Sequence, residues 1–66
     1  MLHYKAQLGR FTKGGFTVLD TPLIGGSDFE QIKAAAVRQL EERGASIGAD
    51  RLRLIAEDDT IAWEYP

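Results

Sequence analysis

One stretch of helical period, flanked on both sides by stretches of period two, constrains this chain more than any other feature. From Phe29 onward, Ile32, Ala36, Val37 and Leu40 recur at helical spacing, while Glu30, Lys33, Arg38, Glu41 and Glu42 fill the opposite face. Ser27 with Glu30, or Asp28 with Gln31, supplies a capping box at the start. The run Ala34-Ala35-Ala36 favours helix and allows close backbone approach, and Arg43-Gly44 reads as the stop. The spacing predicts a helix over about 28–43.

Before the helix, Leu2, Tyr4, Ala6 and Leu8 alternate with His3, Lys5 and Gln7, the pattern of a half-buried strand. Phe11 falls out of phase, and a bulge around Gly9-Arg10 would return it to the buried side. Gly14-Gly15 is a two-residue hairpin signal, with a return strand over about 16–20 whose Phe16 and Val18 are expected inward. Thr21-Pro22 ends that strand, and Leu23 and Ile24 are expected to tuck under the sheet or the helix start. After the helix, Leu52, Leu54 and Ala56 alternate with Arg51, Arg53 and Ile55, and Ile61, Trp63 and Tyr65 with Thr60, Ala62 and Glu64. With Asp58-Asp59 as the turn, Ala56 opposes Ile61, Leu54 opposes Trp63, Leu52 opposes Tyr65, and Arg53 meets Glu64 on the other face.

The expected fold is therefore α+β: a two-layer sandwich of order β-β-α-β-β, one helix packed on a four-stranded, mainly antiparallel sheet, as one domain over residues 1–66. A chain of 66 residues buries only about 60% of the surface it exposes when unfolded, so its core is thin. Cysteine is absent, which excludes disulfides and thiolate zinc sites. No apolar run is long enough for a membrane span, and no signal-peptide pattern opens the chain. A complete small cytoplasmic product is expected.

One helix covers one sheet face and leaves the other open. That face is expected to carry His3, Lys5, Gln7, Thr12, Thr17, Leu19, Arg51, Arg53, Ile55, Ala62 and Glu64, polar and mildly basic with an aliphatic patch. Residues 1–26 carry three cations against one carboxylate, and residues 27–66 five against nine, an asymmetry able to orient a partner.

Catalysis finds little support. His3 is the single histidine, Ser27 serves best as a cap, and Glu57-Asp58-Asp59 reads as a solvated turn without EF-hand spacing. Gly25-Gly26-Ser27 lacks the lysine of a phosphate loop. No catalytic residue, metal site or cofactor is expected. The expectation is a small non-enzymatic interaction protein that binds another protein, or itself as a homodimer, through a sheet edge or the open face. Lys5, Leu19, Arg51, Arg53 and Ile55 form the binding surface, and a bacterial or phage regulator or inhibitor would suit this size. The alternative is weak nucleic-acid binding by Lys5, Arg10, Lys13, Arg51 and Arg53, disfavoured because every aromatic is expected to face the helix.

Overall fold

The computed structural model describes all 66 residues as an α+β fold, a single helix on a mainly antiparallel five-stranded sheet. The elements are β1 (Leu2–Thr12), β2 (Gly15–Asp20), β3 (Leu23–Gly26), α1 (Phe29–Ile47), β4 (Arg51–Ile55) and β5 (Ile61–Tyr65). The order β-β-β-α-β-β thus adds one strand to the expected pattern. Leu23 and Ile24 belong to that strand, β3, which pairs with the first half of β1 while β2 pairs with the second half. Between them Thr21-Pro22 breaks the ladder, although the Pro22 carbonyl still accepts from the amide of Ala6. A proline can hold that place because its carbonyl, not the missing N–H, is used. The sheet runs β2-β1-β4-β5, with β1 and β4 at its centre.

Cross-strand partners share a face. Ala6 opposes Leu54, Leu8 opposes Leu52, and Leu54 opposes Trp63; all turn toward α1. The helix meets them along one stripe of Ile32, Ala36, Leu40 and Gly44, four residues apart. Ala6, Leu8, Ile32, Ala36 and Leu54 are completely buried, and Ile24 closes the core from β3. Tyr4 packs on Phe29 at 5.2 Å between ring centres. Lys33 stands 5.4 Å from the rings of both Phe29 and Trp63 and is ion-paired to Glu30 at 2.7 Å, so its stem covers the edge of the core.

The helix starts where Asp28 caps it: the Asp28 carboxylate accepts from the Gln31 amide at 2.9 Å, and the Gln31 side chain accepts from the amide of Ser27 at 2.8 Å. Its end lies four residues beyond the expected stop. Gly48, at φ 82°, takes the left-handed cap, whereas Gly44 is buried inside the helix. Gly44 is small for a different reason. A Cβ there would stand 2.7 Å from the Ala49 carbonyl oxygen, so its absence lets the chain reverse across the last turn. Arg43 reaches β2 and pairs with Asp20 at 2.6 Å, an ion contact rather than an aligned hydrogen bond.

Two irregularities decide which side chains reach the open face. On β2, Leu8 opposes Asp20 but Gly9 opposes Val18, so Leu19 is the extra residue of a bulge. The bulge expected on β1 at Gly9-Arg10 is on the neighbouring strand, and β1 keeps its alternation through Phe11. On β5, Leu54 opposes Trp63 as expected, but Ile55 rather than Ala56 opposes Ile61, so Ala62 is the extra residue and Ile61 turns to the open face instead of the helix side. The loop before it has three residues rather than two: Asp59 donates to the Ala56 carbonyl and adopts φ 65°, the left-handed position of such loops. The first hairpin also turns one residue earlier than expected, through Lys13-Gly14, because Thr12 pairs with Gly15.

Candidate functional site on the open sheet face

Read across the strands, the uncovered face consists of rows. Leu23, Lys5, Ile55 and Ile61 form one; Gln7, Arg53 and Glu64 form the next. Val18, Gly9 and Arg51 form a third, and Phe16 with Phe11 the last. Phe11, Phe16 and Val18 are therefore on the open face, contrary to the inward placement expected for them. The cause is the position of the bulge: with the extra residue on β2, nothing rotates Phe11 toward the helix, and Phe16 and Val18 follow their partners on β1. Arg10, Thr12 and Thr17 correspondingly fall on the helix side. The guanidinium of Arg10 lies against Gly48 at the negative end of α1, and the hydroxyls of Thr12 and Thr17 are 3.0 Å apart.

The densest part of the face is an aromatic–guanidinium cluster. The rings of Phe11 and Phe16 meet edge to face at 5.6 Å. Arg53 stacks 4.2 Å above Phe16 and 5.9 Å from Phe11, and Arg51 stands 5.5 Å from Phe11. Glu64 also holds Arg53, accepting from Nε at 3.2 Å. With Tyr65 and Pro66 these residues line a shallow cleft of about 140 Å³. Phe11 remains 56% exposed, a large apolar ring held open to solvent.

Gly9 makes the cluster possible. A Cβ on Gly9 would meet the Thr17 carbonyl oxygen at 2.1 Å and the Phe16 ring at 2.9 Å, so the ring lies across the strand where a side chain would otherwise stand. That close approach sets the ring beneath Arg53.

Of the expected binding residues, Lys5, Arg51, Arg53 and Ile55 share this face. Ile55 is only 8% exposed and serves as its floor, whereas Leu19 stands apart at the bulge of the β2 edge, 38% exposed. Phe11 and Phe16 complete the group and were missed because a single residue of slip inverts a strand's faces. The signal that could have found them was Gly9, whose in-phase position on β1 leaves a gap for a neighbouring aromatic.

The far end of the face is acidic. Glu57 and Asp59 border a depression with His3, Lys5 and Leu23, and Glu57 and Asp58 border another with Met1 and Leu2. These carboxylates do not converge on a metal-sized site. Asp58 instead locks the turn, its Oδ1 accepting from the Thr60 hydroxyl at 2.6 Å and the Thr60 amide at 3.2 Å. The hydroxyl bond chiefly, and the amide bond after it, hold the Asp58 carboxyl below its ordinary value of 3.8. A group depressed in the folded state stabilises the fold above its unfolded pKa and loses that contribution as pH falls through the folded one. In carboxyl-detected NMR titrations the Asp58 midpoint should lie below 3.8, and Thr60→Val should raise it toward that value. An unchanged midpoint in the variant would remove the hydroxyl as the cause.

At the start of α1, the glycines of Gly25-Gly26 lie in β3, and the amides of Ser27 and Gln31 are taken up by the side chains of Gln31 and Asp28. No helix is long and apolar enough to cross a membrane. No family model, curated protein or solved structure matches this chain.

Proposed function

We propose that this chain is a small non-enzymatic interaction protein that binds protein, either a different chain or a second copy of itself, through the open sheet face. The observation that carries the reading is Phe11: a phenylalanine 56% exposed, braced by Phe16 and flanked by Arg51 and Arg53 at 5.5 and 5.9 Å from its ring. Aromatic residues and arginine are enriched at the energetic centres of protein interfaces, and prior ordering of Arg53 lowers the entropy lost on binding. Leu23, Ile61 and Val18, all more than 40% exposed, extend the apolar surface around the cluster. A cytoplasmic regulator or inhibitor acting by occlusion would suit such a surface.

A photo-cross-linking residue at position 11 tests the proposal in a lysate of the native host. It should capture protein several-fold more efficiently than the same residue at Arg38 on the exposed side of α1. Equal capture at the two positions would defeat it.

A second reading is supported by the same exposed ring. Aromatics on an open sheet beside arginines are the means by which sheets stack single-stranded bases, so weak nucleic-acid binding through Phe11, Phe16, Arg51 and Arg53 is the alternative. Its mark is a mobility shift on single-stranded oligonucleotides that weakens steeply with salt and is lost in Phe11→Ala.

A further inference from the structure

The open face is polar along the strands as well as apolar across them, and its two ends are opposite in charge. At one end stand Lys13 and Arg51. At the other, Glu57, Asp58 and Asp59 outnumber Lys5. The row Gln7–Arg53–Glu64 lies between, and the apolar groups are arranged about it. Lys5, in the row of Leu23, Ile55 and Ile61, is two residues from Gln7 on one side; Gly9, in the row of Val18 and Arg51, is two residues away on the other.

We infer that the occupant of this face is a second copy of the same chain, packed face to face about a two-fold axis near Gln7. The inference rests on the protein-binding reading above and names its partner. Rotation about that axis, taken across the strands, sets the Leu23–Lys5–Ile55 row of one copy over the Val18–Gly9–Arg51 row of the other, so that Leu23 meets the partner's Val18. It also brings each carboxylate turn toward the partner's Lys13 and Arg51. A two-fold contact is self-complementary only if the patch pairs with its own reverse; the two oppositely charged ends do so, while Arg53, on the axis row, keeps Glu64 of its own chain as partner. A two-fold axis along the strands would instead set like charges together. The molecule measures 35 × 25 × 17 Å, so its broad face has room for the roughly 800 Å² per partner that a stable interface buries. Sheets packed in this way run nearly aligned, about 10 Å apart, which keeps the charged ends in register.

Charge reversal at each end, read by sedimentation velocity, tests the arrangement. Lys13→Glu with Arg51→Glu alters the basic end, and Glu57→Lys with Asp59→Asn the acidic end; all four side chains are exposed, and asparagine tolerates the left-handed φ at position 59. The unaltered chain should sediment as a dimer. Each double variant alone should weaken dimerisation at least about tenfold, and an equimolar mixture of the two should restore it to within about threefold, because both junctions then pair opposite charges. Circular dichroism on each variant confirms that the fold is retained, and Arg38→Glu on the helix exterior should leave the dimer unchanged. A strict monomer at about 200 µM, well above the micromolar range in which standard interfaces associate, would overturn the inference while leaving capture of a different protein at position 11 as a separate result. A dimer indifferent to both reversals would also overturn it, moving self-association to a strand edge.

Discussion

Gly9→Ala should destabilise this protein about as much as a core truncation, although it adds one methyl group. The added Cβ would stand 2.1 Å from the Thr17 carbonyl oxygen and 3.0 Å from the carbonyl carbon, both backbone atoms of the paired strand. A flexible side chain could swing aside, but here β2 itself must move away from β1. That movement breaks ladder hydrogen bonds beside the Leu19 bulge, where the pairing is already interrupted. Overpacking against backbone of this kind costs about 3 kcal/mol. A domain of this length has a total stability of about 3–10 kcal/mol, so the variant should lose about a third of its stability or more. Urea denaturation should show the loss, and Gly14→Ala, whose Cβ would meet nothing within 4 Å, should cost under about 1 kcal/mol. A similar cost at both positions would mean that β2 can shift freely and that Gly9 does not set the position of Phe16.

The same glycine shows where the sequence was readable and where it was not. Helix and strands were legible because their periods are long and clean: Ile32, Ala36 and Leu40 recur by fours, and Leu52, Leu54, Trp63 and Tyr65 pair across one register. Arg53 opposite Glu64 followed from that register without further information. The open-face cluster was not legible, because it depends on which of two paired strands takes the extra residue. A slip in phase at Phe11 can be absorbed by a bulge on β1, which turns the ring inward, or left uncorrected on β1, which turns it outward. Local pattern does not distinguish these, whereas a glycine that must be crossed by Phe16 does. The helix end was misplaced for a related reason. Gly44 and Gly48 are both suitable stops in isolation, and only the return of the chain over Gly44 assigns the cap to Gly48. β3 escaped because Leu23-Ile24-Gly25-Gly26 is too short to show a period, and its pairing comes entirely from the edge β1 offers beyond Pro22.

Leu54→Ala should produce the second large loss, by the opposite physics. Leu54 has no exposed surface and lies in the cross-strand row between Ala6 on β1 and Trp63 on β5, facing the helix. Its neighbour Ala6 is already small and Ala36 on the facing stripe is small as well, so little can collapse into the space left by the isobutyl group. Leucine-to-alanine replacements at unyielding sites cost about 3–5 kcal/mol, the upper part of the known range. In a domain of this size that corresponds to a fall of at least about 12 °C in Tm. The slope of the urea transition should stay unchanged, since the same surface is exposed on unfolding. Ile61→Ala removes a similar side chain from the open face, where the residue is 49% exposed, and in the isolated monomer should cost under about 1 kcal/mol. Repeating both measurements at rising protein concentration separates core from interface. Dimerisation raises apparent stability by mass action. If a second copy covers the open face, the penalty of Ile61→Ala should grow with concentration, while that of Leu54→Ala, set within one chain, should remain constant. Penalties that are both independent of concentration would confine the contribution of Ile61 to the monomer.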